Sequence, residues 1–308
     1  MDWYFIVLIV VGFLLISELI VAFFAFKALF GRKPGEGSFK DLDLSKTLYK
    51  NHEKRIKEEF IFLENLISEN VYITSHDGLK LRGFYIDNHS DKTVFFVHGY
   101  RATPLNNFSW VARKMYDEGY NLFFIDHRAH GESEGKYTTF GIKERFDCVD
   151  WVNFVVKEFG SDVKIILTGI SMGAATVVMA GSMDIPSNVI GIIADCGYNK
   201  PKDIIIKVIQ DMKLPPKLIY PFIKLSAKIF GKFDLEEYSP LESVKKIKAP
   251  VFFVHGTGDT FIPIKMTEKL YDECISRKVL VPIKDGKHGT SYMKDPDLYI
   301  EELEKFFK

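Results

Sequence analysis

The chain has 308 residues, of which 47% are hydrophobic and 14% aromatic, so it can fill a substantial core and is not a disordered segment. Its 41 basic side chains balance its 41 acidic ones, and a formal net charge of zero provides no field that attracts nucleic acid, so we expect no nucleic-acid partner. Three widely separated cysteines without C-x-x-C spacing predict neither a disulfide framework nor a zinc site: Cys148, Cys196 and Cys274.

The first predicted element is a membrane-spanning helix, and residues 1–30 are taken as an anchor. Residues 5–26 are almost continuously apolar, long enough at about 1.5 Å per residue to cross a hydrocarbon core of about 30 Å. Because no basic segment precedes the run and no small-x-small cleavage site follows it, we expect an uncleaved anchor rather than a signal peptide. The nearby basic residues all follow the span, so the positive-inside tendency puts the rest of the chain on the cytoplasmic side: Lys27, Arg32, Lys33 and Lys40.

One acidic residue, Glu18, interrupts this apolar run. A charged side chain at the centre of a membrane helix costs about 2.5 to 3.5 kcal/mol on insertion scales. Two interpretations stay open: anchors that self-associate through Glu18 and Ser17, or an off-centre residue that the membrane tolerates.

Residues 31–70 are predicted to hold a linker and an amphipathic helix. Three glycines and one proline in residues 31–38 favour a flexible tether. In the charged stretch 41–70, apolar positions recur at threes and fours, which predicts a helix that packs on the main domain or, alternatively, lies on the lipid surface. These positions are Ile56, Phe60, Leu63 and Ile67.

The main domain is predicted over residues 71–308. Residues 71–74 and 79–86 flank His76-Asp77-Gly78, a hairpin signal because Asp-Gly suits positive φ. Short strands that are apolar on both faces then alternate with helices, which is typical of a mostly parallel, doubly wound α/β sheet. The strands are predicted at 93–97, 121–125, 163–168, 189–194, 251–254 and 279–283. The helices are predicted at 107–118, 143–159, 174–183, 266–276 and 297–307.

One insertion, at about residues 199–238, breaks this alternation. It contains helical patterns and four prolines but no convincing strand, so it is predicted to be a helical cap over the carboxyl edge of the sheet. Its lysines are interpreted either as a solvated helix face or as contacts for anionic lipid or an acidic ligand: Lys207, Lys213, Lys217, Lys224 and Lys228.

The pentapeptide Gly-Ile-Ser-Met-Gly at 169–173 lies between a predicted strand and a predicted helix. The turn is so tight that Cβ atoms at its flanking positions would collide with the neighbouring strand and helix, which explains the two glycines. The turn projects the oxygen of Ser171 from the carboxyl edge of the sheet. We therefore predict that Ser171 is a nucleophile.

A serine hydroxyl needs a histidine to accept its proton and a carboxylate to orient that histidine. The last two predicted strands are followed by loops that carry Asp259 and His288, in the order expected for this architecture. Asp259 and His288 are therefore the predicted partners of Ser171. Asp195, which also follows a strand, and Asp285, close to His288 in sequence, remain rivals for the acid.

The oxyanion of an acyl-transfer intermediate needs two N–H donors. The backbone N–H of Met172 follows the nucleophile, and the N–H of Tyr100 lies in the turn His98-Gly99-Tyr100 after a strand. These two groups are the predicted oxyanion hole, and His98 is predicted to have a structural role. The histidines and carboxylates of residues 126–135 lack the H-E-x-x-H spacing of a metal site, so we expect no metal.

Five motifs in this order resemble the α/β-hydrolase superfamily, in particular membrane-anchored hydrolases similar to the serine aminopeptidase and prolyl-oligopeptidase-like branch. They are His98-Gly99-Tyr100, residues 126–135, residues 169–173, His255-Gly256 with Asp259 and Pro263, and His288-Gly289. The resemblance covers about residues 71–308. It implies a triad of Ser171, Asp259 and His288, an acyl-serine intermediate and no cofactor. Ala129 departs from the glycine that many relatives have, away from the predicted chemistry.

The predicted function is therefore a membrane-anchored serine hydrolase of the carboxylesterase type. The anchor and the apolar cap favour an acyl ester or lipid-like small molecule as substrate. Peptidase or amidase and thioesterase activities on the same triad are the alternatives, because one triad serves many substrates in this superfamily. A non-catalytic binding protein that retains the fold is a further alternative.

Overall fold

The computed structural model of the protein describes residues 3–32 and 52–308. Within these residues, eight strands form one sheet in the order β1-β2-β4-β3-β5-β6-β7-β8. The strands are β1 Glu69–Thr74, β2 Lys80–Ile86, β3 Lys92–Val97, β4 Asn121–Ile125, β5 Lys164–Ile170, β6 Val189–Asp195, β7 Val251–Gly256 and β8 Lys278–Ile283. The β1/β2 and β2/β4 pairs are antiparallel and the remaining pairs are parallel. The predicted fold class, a mostly parallel α/β sheet entered through an antiparallel hairpin, is confirmed.

Eleven α-helices and one π-helical turn accompany this sheet in the described residues. The first six are α1 Trp3–Phe30, α2 Glu53–Glu64, α3 Pro104–Asp117, α4 Glu144–Phe159, α5 Met172–Ala180 and α6 Pro201–Asp211. The others are α7 Pro216–Ser226, the π-helical turn Ala227–Gly231, α8 Pro240–Ser243, α9 Lys265–Glu273, α10 Ser291–Lys294 and α11 Pro296–Phe307. Every helix predicted between the strands is present, with ends shifted by a few residues.

The central strands are apolar on both faces because helices cover the sheet on both sides. Phe95 and Phe123, adjacent in the parallel β3/β4 pair, stack at 5.3 Å between ring centroids, and their side chains belong to one core cluster. Phe96 and Phe124 stack at 4.7 Å and belong to the cluster on the opposite face. Two hydrophobic layers therefore hold this sheet rigid, and its carboxyl edge provides a fixed platform for loops.

Helix α2 packs on the main domain. Its side chains Ile56, Phe60 and Leu63 are buried in the same cluster as residues of α3, and the Arg113 guanidinium of α3 stacks over Phe62 at 3.7 Å. The helix is shorter than the stretch 41–70 that was predicted to contain it. The part of that stretch before residue 52 lies outside the described residues.

Helix α1 is long and apolar enough to cross a membrane, a property that it shares with signal sequences. Its last turn packs on the main domain, because Phe26 and Phe30 are 1% and 0% exposed and belong to a core cluster with cap residues. The predicted tether is wrong for its first two residues. Gly31 forms a β-bridge with Tyr137, and the backbone N–H of Arg32 donates to Lys136 O at 2.9 Å. The backbone hydrogen bonds of this bridge fix the chain there; residues 33–38 lie outside the described part.

The insertion after β6 folds as α6, α7 and the π-helical turn. Pro201 and Pro216 occupy the first turns of α6 and α7, where a missing N–H costs nothing. Ile204, Ile205 and Ile209 of α6 are buried in a cluster with Met172, the residue that follows Ser171. These helices therefore lie beside the carboxyl end of β5.

Candidate active site

Ser171 lies at the apex of the turn between β5 and α5. Its φ of 57° and ψ of −115° are unusual for a residue with a side chain. A Cβ on Gly173 would overlap the carbonyl oxygen of Val97, and one on Gly169 would overlap the backbone of Gly173. The two glycines therefore allow β5, β3 and α5 to approach closely enough to force the strained turn.

The last loop of the sheet places His288 beside this serine. The Nε2 atom of His288 lies 3.0 Å from Ser171 Oγ, although the two residues are 117 positions apart in sequence. The ring of Phe261 packs edge-on against the imidazole at 5.0 Å between centroids. Because the distance is that of a hydrogen bond, His288 can accept the serine proton.

Asp259 lies on the other side of the imidazole, with Oδ2 at 2.7 Å from His288 Nδ1. Its Oδ1 atom accepts hydrogen bonds from the N–H groups of Phe261 and Ile262, each at 2.9 Å. Burial alone would raise the pKa of the Asp259 carboxyl, but hydrogen bonds from His255, His288 and the Ile262 N–H outweigh it and hold the pKa below its ordinary value. Asp259 therefore stays ionised and can fix the Nδ1–H tautomer of His288.

The two rival carboxylates have different surroundings. Asp195 Oδ1 accepts a hydrogen bond from Ser291 Oγ at 2.7 Å, and burial raises the pKa of Asp195 to about 6 despite that bond. Its backbone carbonyl accepts the N–H of Ser171 at 2.9 Å, so it supports the serine through the main chain. The side chain of Asp285 is exposed. Of the three carboxylates, Asp259 is the one with a hydrogen bond to His288 among the described residues.

The turn 98–101 lies against Ser171. A Cβ on Gly99 would come within 3.4 Å of Ser171 Cβ, and the Gly99 N–H donates to Asn107 Oδ1 at 2.8 Å. The next residue but one, Arg101, has a φ of 54° and donates its N–H to His130 Nε2 at 3.0 Å. The predicted donor Tyr100 lies between these two fixed residues.

Met172, the other predicted donor, is the first residue of α5. The first N–H groups of a helix have no intrahelical acceptor, and the helix dipole there favours negative charge. Both N–H groups therefore belong to segments next to Ser171, and a helix N-terminus is suited to stabilise an oxyanion.

Three buried histidines support the 98–101 turn: His98, His127 and His130. His98 Nδ1 donates to Gly99 O at 2.8 Å, and its Nε2 accepts the N–H of His127 at 3.0 Å, which fixes the neutral tautomer. His127 Nε2 donates to His98 O at 3.0 Å. Burial lowers the pKa of His98 well below its ordinary value and that of His127 to about 4. The hydrogen bonds of His98 agree with the structural role predicted for it.

These buried neutral histidines predict an acid-sensitive fold. His127 binds a proton near pH 6.5 when unfolded but only near pH 4 when folded, so stability falls as pH drops through this window. We expect the free energy of unfolding to fall by about 2 kcal/mol between pH 7 and pH 5 on account of His127 alone. Urea unfolding of the full chain at the two pH values measures this change. His127→Gln should flatten the dependence, and His89→Gln, an exposed control, should leave it unchanged; equal slopes for wild type and His127→Gln would refute the assignment.

The segment 126–135 has a structural explanation for its polar residues. Arg128 makes two 2.6 Å hydrogen bonds to Asp147 of α4 and also binds Asp77 of the β1/β2 turn at 2.9 Å. Asp126 accepts hydrogen bonds from Arg82 Nη1 and from the Glu132 N–H, each at 3.0 Å. This segment therefore joins the hairpin to α4, and its charged side chains are engaged within the protein.

Potential metal ligands also meet at the candidate site. Ligand atoms of Cys196, Asp259 and His288 lie within 4.8 Å of one another. Burial raises the pKa of the Cys196 thiol well above its ordinary value, so the sulfur stays protonated and is a poor ligand. Asp259 and His288 are moreover bonded to each other, and this arrangement fits proton transfer better than metal binding.

Sequence reasoning missed several residues that support the site. His255 Nε2 lies 3.3 Å from Asp259 Oδ2, and its Nδ1 lies 2.7 Å from Thr267 Oγ1. The hydroxyl of Tyr100 donates to Leu29 O of α1 at 2.5 Å. His255 belongs to one of the five motifs, but in the sequence only its spacing of four from Asp259 indicates the contact. Nothing in the sequence connects Tyr100 with Leu29.

Comparisons with known proteins agree with this architecture. A family model described as serine aminopeptidase, S33, matches residues 88–236. The Bacillus subtilis (strain 168) protein YqkD is 29% identical over 236 residues, 76% of this chain and 77% of its own length. The Arabidopsis thaliana alpha/beta hydrolase domain-containing protein WAV2 is 22% identical over 261 residues, 79% of this chain and 80% of its own. The Pyrococcus furiosus esterase Pf2001 superimposes with a TM-score of 0.63 at 28% identity, over 77% of this chain and 89% of that chain.

Proposed function

Because this chain belongs to the α/β-hydrolase superfamily, we propose that it is a membrane-anchored serine hydrolase that cleaves carboxylic esters. The observation that carries the proposal is the chain of contacts from Ser171 Oγ to His288 Nε2 at 3.0 Å and from His288 Nδ1 to Asp259 Oδ2 at 2.7 Å. Such a chain converts a weakly nucleophilic hydroxyl into an attacking group at neutral pH.

The reaction follows from these contacts. Ser171 Oγ attacks the ester carbonyl carbon while its proton passes to His288 Nε2, and Asp259 stabilises the resulting imidazolium. The carbonyl oxygen becomes an oxyanion that the N–H groups of Tyr100 and Met172 receive. Collapse of the intermediate breaks the bond to the alcohol, which takes the proton from His288 and leaves an acyl-serine. A water molecule, deprotonated by His288, then releases the acid and restores Ser171.

Membrane anchoring is supported by the two halves of α1. The first part, Trp3–Val21, exposes almost all of its described large apolar side chains, and its sequence has the length of a bilayer span. The last turn belongs to the domain core, with Phe26 and Phe30 buried. Removal as a signal sequence would take these side chains out of the core, so a retained anchor accounts better for both halves. Lys27 and Arg32 favour a catalytic domain on the cytoplasmic side.

Ester substrates are favoured by the similarity to the Pyrococcus furiosus esterase at 28% identity. The match to a serine aminopeptidase model supports a second candidate, cleavage of aminoacyl amides by the same residues. A panel of short acyl esters, thioesters and aminoacyl amides separates the candidates. We expect ester cleavage to dominate; cleavage of amides without esters would reject the esterase assignment in favour of a peptidase.

Labelling with a fluorophosphonate probe tests the nucleophile directly. The probe phosphonylates an activated serine, so we expect the full chain in detergent to be labelled and Ser171→Ala not to be. Ser161→Ala is a matched control, because that serine lies on the loop at the amino edge of the sheet, before β5. Absence of labelling in a folded wild-type chain would contradict the proposed function.

A further inference from the structure

We propose that the outer face of helix α7 and the π-helical turn rests in the interfacial layer of a lipid bilayer, beside the point where α1 leaves it. This cap face consists of Leu218, Phe222, Leu225 and Ile229. The inference rests on the membrane anchoring proposed above, and it adds a second lipid contact made by the domain itself. Its occupant is a leaflet that contains anionic phospholipid.

The cap face is a continuous apolar stripe. Its residues follow one another at intervals of four, three and four, which places them on one side of a helix. They are 60%, 54%, 53% and 49% exposed in chain order, whereas Tyr220 and Ala227 on the other side are buried. Single exposed apolar residues are ordinary on a protein surface, but a row of four large ones marks a contact surface.

The cap face continues the exposed surface of α1. Phe230 of the π-helical turn packs against Phe23 and Phe26 of α1, with ring centroids 5.2 Å and 5.8 Å apart. Before this contact, almost all of the described side chains of α1 between Trp3 and Val21 are exposed. These nineteen residues span about 28 Å, close to the thickness of a hydrocarbon core of about 30 Å. The membrane surface therefore falls near residue 22, at the level of the π-helical turn.

The lysines around the cap face indicate that it contacts anionic lipid. Lys213, Lys217 and Lys232 are exposed, and within the described residues no carboxylate lies at ion-pair distance from them. Two lysines of α7 and the π-helical turn differ, because Lys224 and Lys228 pair with Asp234 or Glu236. An apolar stripe bordered by exposed lysines is the composition of helices that lie in the interface of anionic membranes.

This placement also accounts for Glu18. If the membrane surface lies near residue 22, Glu18 is about one helical turn, or about 6 Å, inside it. A carboxylate at this depth can extend toward the headgroups, at a much lower cost than at the bilayer centre. The interpretation of Glu18 as an off-centre residue then needs no partner.

Depth measurements on the full chain test the proposal. Phe222→Cys is labelled with an environment-sensitive fluorophore and reconstituted into vesicles of phosphatidylcholine and phosphatidylglycerol, with brominated lipid as membrane quencher and iodide as aqueous quencher. Ile275→Cys is the matched control. Ile275 is 71% exposed and lies just before β8, at the amino edge of the sheet, whereas the cap lies at the carboxyl edge. The unsubstituted chain measures background labelling of its three buried cysteines.

We expect brominated lipid to remove most of the Phe222→Cys fluorescence and iodide to remove little, with the reverse result for Ile275→Cys. A label at position 222 that iodide quenches as strongly as the label at 275 would overturn the proposal. Val21→Cys in the same vesicles reports on the anchor alone. Lipid quenching at 21 but not at 222 rejects the cap face and leaves the anchor in place; aqueous quenching at both rejects the two together.

A second variant distinguishes the membrane contact of the cap face from the reaction at Ser171. Phe222→Glu places a carboxylate on the cap face and should lower hydrolysis of a long-chain ester in vesicles at least several-fold, with little change for a short water-soluble ester. Fluorophosphonate labelling of Ser171 reports on the proposed function independently. Lipid quenching at 222 in a chain that the probe does not label would support the surface and reject the enzyme; an equal loss on both esters would reject the surface as the cause.

Discussion

Replacement of Ser171 by alanine is expected to lower kcat for a short acyl ester by about 10⁴- to 10⁶-fold, to the residual rate that binding and the oxyanion donors sustain. The reason is geometric, because the Ser171 hydroxyl is the group 3.0 Å from His288 Nε2. His288→Ala should cause a loss of similar size, and the double variant should be no slower than either single one, since the two residues act as a unit.

Steady-state kinetics on the purified full chain in detergent measure these effects. Thermal unfolding verifies that each variant is folded, and Ser161→Ala, which alters a serine far from the site, should keep the wild-type rate. If His288→Ala retained most of the activity, His288 could not be the base, and the roles of Asp259 and His288 would both have to be reassigned.

The sheet could be predicted because its signals are local. Each parallel strand is a short run of side chains that are apolar on both faces, and such runs are recognisable without knowledge of their neighbours. The strands β5 and β6 extend past the predicted ends, to Ile170 and Asp195, because the pairing of these two residues continues the ladder. Tertiary pairing, rather than propensity, sets these ends.

The relations between distant segments could not be predicted in the same way. Hydropathy identifies α1 as apolar but does not distinguish a side chain that faces lipid from one that faces a protein core. The burial of Phe30 against Phe140 and Phe233, and the bridge between Gly31 and Tyr137, depend on how the cap and the loop before α4 pack against the end of α1. The predicted tether failed at Gly31 and Arg32 for that reason, since glycine content describes backbone freedom and not the available partners.

In the candidate site, too, some residues can be predicted from a local pattern and others depend on how the chain packs. Ser171 could be assigned from five consecutive residues, because the strained turn needs its glycines within that window. The contact of His255 with Asp259 and that of Asn107 with Gly99 depend on how the turn between the two partners is folded, which no local pattern specifies. Ala129 departs from the expected glycine; its φ of 62° lies in the region that favours glycine, so the departure has a backbone cost.

The assignment of Asp259 as the carboxylate that orients His288 predicts a second large loss of activity. Asp259→Asn should lower kcat by about 10⁴-fold with little change in KM, because an amide stabilises the wrong tautomer of the histidine and cannot compensate an imidazolium. Asp259 lies 2.7 Å from His288 Nδ1 and is held ionised by its hydrogen bonds. The same kinetic assay with the same ester measures this loss.

Asp195→Asn is the matched comparison. It makes the same chemical change, carboxylate to amide, in a rival candidate for the acid at the carboxyl edge of the sheet. The amide oxygen of the variant can still accept the hydrogen bond from Ser291, and the Ser171 N–H contact is to the backbone carbonyl, which the substitution keeps. Asp195→Asn should therefore retain kcat within about tenfold, a difference of about 1.4 kcal/mol in the barrier. A larger loss for Asp195→Asn than for Asp259→Asn would transfer the role of the acid to Asp195. The pair of variants thus tests the orientation of His288 separately from the identity of the nucleophile.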